Sequence, residues 1–428
     1  MSTATYYRHG LRRMTGRDRD DTHRGATPLE LLFDLTFVAA FGVAGNELAH
    51  GIAEQHIAGA VTGFLFAMFA IVWAWINYSW FASAFDTDDW LFRLLTMLQM
   101  VGVIVLAIGL PAMFASIYEG EVIDNRVMVA GYVIMRIAML AQWLRAAHGN
   151  PQYRAVAKTY AIMVGLAQVA WVTILILPLD LAGFAIAAVF ASILDVGAPI
   201  VAEAKGARHG GMTPWHAHHI AERYGLLAII ALGETVFGTL AAARVLTDTE
   251  GWTFSSIMVI GLGVVLTFGL WWSYFMLPSA TILSVQRSKA FPWGYGHFFV
   301  FGSIAAIGAG LHVIGYVYDE HYHVSTFVAI ASIAIPVITF MLSLYLLHSW
   351  LVSAFAKNAW VQTTALALPV LAMLLAAADG PLWACLLLIT LSPAAIVVSF
   401  ELGAWRTLDA QVHRAVTAAR AASEKPAG

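Results

Sequence analysis

The sequence predicts an all-α polytopic membrane protein of about twelve transmembrane helices. Three observations carry that prediction. Of its 428 residues, 60% are apolar and only 11% are Asp, Glu, Lys or Arg, against roughly a quarter charged in a water-soluble domain. Twelve stretches reach the roughly 20 mostly apolar residues that cross a bilayer. With those boundaries the basic residues fall on alternate connections. One side takes Arg8 to Arg24, Arg93, Arg145 with Arg154 and Lys158, Lys205 with Arg208, Arg287 with Lys289, Lys357, and the tail from Arg406. The other takes only Arg126 and Arg244. Because Lys and Arg concentrate on cytoplasmic loops, the pattern predicts an even number of spans with both termini cytoplasmic. The expected location is a cytoplasmic membrane. The first two dozen residues are polar and Arg-rich without a short apolar core, so no cleaved signal peptide is expected.

The spans lie near residues 29–49, 57–82, 90–113, 126–145, 155–177, 181–202, 220–243, 253–277, 294–317, 324–348, 360–378 and 382–403. The first opens after Thr27-Pro28, and Thr27 with Glu30 forms a capping box with Pro at the first helical position. Asp34 lies about 6 Å deeper along the same helix and caps nothing. The second span ends in "WAWINYSWF". The third is entered through "FDTDDWLFR", whose Asp86, Asp88 and Asp89 suit a helix N-terminus and whose Asp89 and Arg93 stand at i, i+4. Arg136 in span four, Asp195 in span six and Glu234 in span seven fall deep, where an acidic or basic residue costs about 2.5 to 3.5 kcal/mol.

Span seven begins with "WHAHHIAERYG", bringing His216, His218, His219, Glu222 and Arg223 to one membrane edge. The spacing permits a metal, proton exchange or, as the favoured reading, a solvated cap, and no Asp, Glu or Cys completes a known local metal-ligand pattern. Span eight ends in "LWWSYF". His297 and His312 in span nine read as satisfied core histidines, and "GSIAAIGAG" (302–310) as a close-packing surface. Pro369 and Pro393 interrupt the last two spans. The tail from Arg406 reads as an amphipathic helix on the membrane surface.

"FDLTF" near Asp34 and "GETVF" near Glu234, each span preceded by Thr-Pro, match two parallel six-helix halves of the kind found in transporters. The expected organisation is a cytoplasmic segment 1–26, a first half 27–203, a connecting loop 204–218, a second half 219–403 and a cytoplasmic tail 404–428. Cys385, the single cysteine, excludes an internal disulfide. The net charge of −3 comes from few, scattered groups. Neither a phosphate-binding Gly loop nor a nucleophile elbow, Cys-rich metal motif or nucleic-acid module is present. No catalytic residue, cofactor, metal or nucleic-acid partner is therefore expected.

"TPLELLFDLTFV" (27–38), "FDTDDWLFRLL" (85–95) and "HIAERYGLLAIIALGET" (219–235) together resemble the bacterial low temperature requirement protein A family. The resemblance implies a polytopic bacterial membrane protein, and it brings no substrate or reaction. It carries across Glu30, Asp34, Asp86, Asp88, Asp89, Arg93, Glu222, Arg223 and Glu234.

Intramembrane ionisable residues mark function by default, so the expected role is a proton-coupled secondary transporter or permease for a small molecule or ion, with membrane lipids as its other partners. Asp34, Glu234, Glu30, Arg136 and Asp195 are the candidate substrate or coupling residues. Asp86, Asp88, Asp89, Arg93, His219, Glu222 and Arg223 are the candidate cytoplasmic gate. A membrane-embedded enzyme acting on a lipophilic substrate is the second reading, and a non-catalytic homeostasis protein the third.

Overall fold

The computed structural model of the chain describes residues 10–19, 21, 24–120, 123–354 and 359–423. The basic residues Arg8, Lys357 and Lys425 lie outside them. Among the described residues all regular structure is helical: α1 (Pro28–Ala53), α2 (Ile57–Phe85), α3 (Trp90–Glu119), α4 (Arg126–Gly149), α5 (Arg154–Ile176), α6 (Leu181–Arg208), α7 (Ala217–Thr249), α8 (Phe254–Phe275), α9 (Ser279–Val285), α10 (Ala290–Val317), α11 (Thr326–Val352), α12 (Ala359–Ala377), α13 (Leu382–Ser399) and α14 (Trp405–Ser423). Among the described residues twelve helical stretches are long and apolar enough to cross a membrane, and the chain is an all-α polytopic membrane protein. In lipid the backbone has no water to bond to, and a helix satisfies its groups internally.

Several helices run deeper than their apolar cores, because polar caps finish them. Asp89 accepts from the Phe92 amide at 3.0 Å, Asp180 from Gly183 at 2.8 Å and Ser325 from Val328 at 3.3 Å. α14 leaves α13 through a kink at Gly403, whose φ of 134° favours glycine. Gln411, Val412 and Ala415 of α14 are buried, and Gln286, just after α9, donates to the Ala415 carbonyl at 3.0 Å.

The prolines expected to interrupt the last two spans lie inside continuous helices. Pro369 has no N–H, so the Ala365 carbonyl one turn earlier loses its helical donor. The Ser392 hydroxyl of α13 donates to that carbonyl at 2.6 Å. In α11, Pro336 similarly frees the Ser332 carbonyl, and α10 closes on it at Gly310, where a Cβ would stand 2.4 Å from that oxygen. Prolines persist where a neighbouring helix meets the freed acceptor.

The helices form two compact units: Met1–Ala40 with Trp73–Ile220, and Phe41–Val72 with Ala221–Gly428. The division therefore cuts through α1, α2 and the start of α7. In the first unit α3 and α4 pack backbone to backbone. A Cβ on Gly102 would lie 2.6 Å from the Gly131 carbonyl, and one on Gly109 would lie 2.4 Å from the Met128 amide. Trp143 of α4 stacks on Tyr160 of α5 at 4.0 Å.

An N-terminal strap crosses the connections at one end of this unit. Arg17 N donates to Ala84 at 2.9 Å, Arg13 Nε to Gly149 at 2.7 Å, Gly16 N to Asn150 Oδ1 at 2.9 Å and Arg19 to Met212 at 3.1 Å. In the second unit α10 is the most enclosed helix. Its small residues bring it against α7 at Gly308 and against α11 at Gly310.

Ser392→Ala should lower stability by about 1 kcal/mol, the net value of one hydrogen bond. The loss should shrink in a Pro369→Ala background, where the helix regains its own donor. A double-mutant cycle on melting temperatures in detergent reads that coupling, and equal losses in both backgrounds would contradict the account.

Candidate functional site

Two groups of polar residues stand in the first unit and one isolated carboxyl stands in the second. At the Pro28 end of the first unit, the capping box forms as the spacing predicts. Thr27 N donates to Glu30 Oε2 at 2.7 Å and Glu30 N to Thr27 Oγ1 at 3.3 Å. Glu30 is fully buried and does more than cap. Its Oε1 is 3.4 Å from Arg24 Nη2 and 3.1 Å from His219 Nε2. Arg24 also reaches Asp86 Oδ2 at 3.5 Å and donates to the Ala82 carbonyl at 3.2 Å. One guanidinium thus sits between two buried carboxyls. Burial, and then the Glu30 charge, push Asp86 up to about 6 against the opposing pull of Arg24 and the Asp88 amide.

His216 is the residue before α7, and it takes over the N-cap role. Its Nδ1 accepts from the His219 amide at 3.2 Å, while its own N–H donates to Ser83 Oγ at 3.0 Å. Burial holds His216 below the usual imidazole range, which leaves that lone pair open to the helix.

The aspartates of "FDTDDWLFR" divide their work. Asp89 caps α3 as its position predicts, but its ion pair is with Arg145 rather than the expected Arg93, at 2.9 Å to Oδ1 and at a still shorter contact to Oδ2. Burial alone would raise Asp89; Arg145 and the amides of Phe92 and Arg12 outweigh it and hold the carboxyl at about 2. Arg93 pairs with Asp88 in a two-pronged contact of 2.8 and 2.9 Å on the exposed surface. The five-residue separation is possible because Asp88 adopts a positive φ of 46°, which bends the turn before the helix. His218 and Glu222 are exposed, whereas His219 and Arg223 are fully buried, so that segment presents two faces. Among the described residues no three His, Cys, Asp or Glu side chains gather to hold a metal ion.

Deeper in the first unit, Asp34 is buried and accepts from Trp75 Nε1 at 2.6 Å. At the middle of α4, Arg136 donates to both oxygens of Asp195 in α6 at 2.7 Å. It also approaches Asn77 Oδ1 at 3.5 Å and lies over the Tyr132 ring at 5.0 Å. The ion pair of Arg136 is therefore with Asp195, within one unit.

Glu234 sits at the middle of α7 and is 8% exposed. None of the described residues offers its carboxyl a hydrogen bond or an ion pair. What faces it is backbone. A Cβ on Gly42 of α1 would stand 3.6 Å from Oε1, and one on Gly45 4.0 Å from Oε2. Gly308 of α10 lies so close to the Glu234 backbone that a Cβ there would be 2.6 Å from its carbonyl oxygen. Beside it, Thr235 pairs with Thr267 of α8 at 2.8 Å. The helices pack tightly behind Glu234 and leave two glycines in front of its carboxyl.

Residues 25–393 match the family model described as bacterial low temperature requirement A protein (LtrA). The chain belongs to the LtrA family. It is 25% identical over 332 residues to the uncharacterized protein RA0937 of Rhizobium meliloti (strain 1021), covering 72% of this chain and 73% of that protein. No solved structure matches.

In this LtrA chain the family motifs converge locally. Glu30, Asp86 and His219, one from each motif, meet around Arg24. Asp34 and Glu234 each occupy a different unit. Sequence reasoning missed Glu203, a buried acid near the end of α6 that accepts from Tyr160 at 3.0 Å and from the Thr213 amide at 3.0 Å. Its signal was available in Thr213-Pro214, a polar pair marking the start of the next helical segment. It also missed Asn150, which accepts from Gly16 and donates to the Met14 carbonyl at 2.6 Å.

Asp195→Asn should cost about 3–5 kcal/mol by leaving Arg136 buried without its counter-charge. Replacing both residues by apolar ones of similar volume should restore most of that, as read from melting temperatures. Asp86 gives a pH signature. Because its folded value lies above the ordinary carboxylate value of 3.8, the folded chain still holds a proton that the unfolded chain has released. Stability from this group is thus lost as pH rises from about 4 to about 6 and is level above that. Asp86→Asn should remove this slope from the melting-temperature profile; a profile parallel to the wild type would contradict the assignment.

Proposed function

We propose that this LtrA-family protein is a proton-coupled permease for a small molecule or ion, and that Glu234 is its coupling carboxyl. The observation that carries the reading is the isolation of Glu234. Every other deep acid that the sequence singled out has a stated donor: Asp195 has Arg136, Asp34 has Trp75, and Glu30 has Thr27 and Arg24. A buried carboxyl without a donor favours its neutral form and exchanges its charge with whatever ion or proton reaches it. A group held by an arginine is locked in one state.

The roles of the remaining residues follow from their partners. Arg136 and Asp195 tie α4 to α6 as a fixed pair, and Asp34 is a second protonation site reported by Trp75. Arg24, Glu30, Asp86 and His219 form the polar gate. Asp88 and Arg93 are its solvated rim, while Asp89 shapes it from within. The sorting of Lys and Arg supports placing this gate and both termini on the cytoplasmic side of an inner membrane.

Proteoliposomes carrying a pH gradient and supplied with an isotope-labelled bacterial metabolite extract test the reading. The wild type should concentrate at least one solute, and Glu234→Gln should abolish that accumulation while keeping the wild-type melting temperature. Gly42→Ala places a methyl at ordinary contact distance from the carboxyl, so it should fold normally and reduce transport. Accumulation by Glu234→Gln equal to wild type would overturn the proposal.

A further inference from the structure

Above Glu234 in the second unit, α10 carries polar rings at one-turn intervals. Gly308 touches the Glu234 backbone, His312 follows one turn later, about 6 Å along the axis, and Tyr316 one turn beyond that. His312 stacks on Tyr316 with centroids 5.2 Å apart. The sequence reads His312 as a satisfied core residue, like His297, which is bonded to Tyr274 at 3.1 Å and to the Trp293 carbonyl at 2.7 Å. His312 differs: it is half-buried and makes no hydrogen bond to another described residue.

The line continues to the surface on α1. A Cβ on Gly45 of α1 would stand 4.0 Å from the Ala305 carbonyl oxygen and from Ala309 Cβ of α10, so the two helices run side by side there. His50, at the far end of α1, places Nδ1 3.4 Å from the Tyr316 hydroxyl. Its Nε2 is 3.4 Å from Glu54, and both of those side chains are about half exposed. The other titratable groups around this end are Glu47, Asp319 and Tyr322, the last with its ring 4.6 Å from Tyr316.

We propose that His50, Tyr316 and His312 form the proton-entry route to Glu234. The inference rests on Glu234 being the coupling carboxyl. A proton taken up at the exposed His50–Glu54 pair is handed by the Tyr316 hydroxyl to His312. His312 then passes it to the Glu234 carboxylate, which becomes the neutral acid as His312 returns to neutral imidazole. A ring with no fixed bond is free to turn between the two, and imidazole is the side chain suited to exchange at ordinary pH. A carboxyl buried behind close-packed helices needs such a path, since its own burial excludes bulk water.

Time-resolved infrared spectroscopy of the full-length protein in phosphatidylethanolamine–phosphatidylglycerol vesicles, after a rapid drop in pH, tests the route. The carbonyl band of protonated Glu234 is the one absent from Glu234→Gln. His312→Ala should leave the final amplitude of that band unchanged and slow its rise by about tenfold or more. Added imidazole should restore the rate. His50→Ala, at an exposed position that does not threaten folding, should slow the rise in the same way. An unchanged rate in both variants, or a slowed rate that imidazole does not restore, overturns the route while leaving Glu234 as the coupling site. If the wild type shows no titrating Glu234 band at all, the parent reading fails, and the route with it.

Discussion

In a bilayer, a polar group must find its partner inside the protein, and this constraint shapes nearly every contact described above. It decides where proline is allowed, as the Ser392 hydroxyl against the Ala365 carbonyl shows. It explains why the buried Glu30 is surrounded by a backbone amide, a guanidinium and an imidazole. It also sets Glu234 apart: among the described deep acids named above, it alone faces glycine backbone instead of a donor.

The same constraint separates two kinds of intramembrane charge. Arg136 and Asp195 compensate each other within 2.7 Å, so their desolvation is offset and removing either exposes the other. Glu234 has no such partner among the described residues; its carboxyl faces the backbone of Gly42 and Gly45. Asp34 lies between the two cases, hydrogen-bonded to an indole that donates without carrying charge. Depth alone does not separate Arg136, Asp195 and Glu234; the partner tells them apart.

Arginines at the N-terminal end have two physical roles. As positive charges they bias topology. As rigid forks of donors they close the connections of the first unit, with Arg13, Arg17 and Arg19 each reaching a loop carbonyl or holding the strap across it. Loop carbonyls at a membrane edge are costly if left bare, and a basic segment is a compact source of donors for them.

Composition and hydropathy by themselves determined the number of spans, because lipid selects long apolar stretches without reference to what packs where. They also determined the capping box at Thr27 and Glu30 and the cap at Asp89, since caps are local and read out over three residues. Family membership was legible in three motifs for the same reason. Partnerships between distant residues were decided only by tertiary structure. Arg145 rather than Arg93 meets Asp89, Asp195 rather than Asp34 or Glu234 meets Arg136, and glycines from α1 and α10 flank Glu234. Such pairings depend on which helices become neighbours and at what register. A stretch of apolar sequence carries little trace of that, because many registers bury lipid-grade side chains equally well and the few polar groups choose among them.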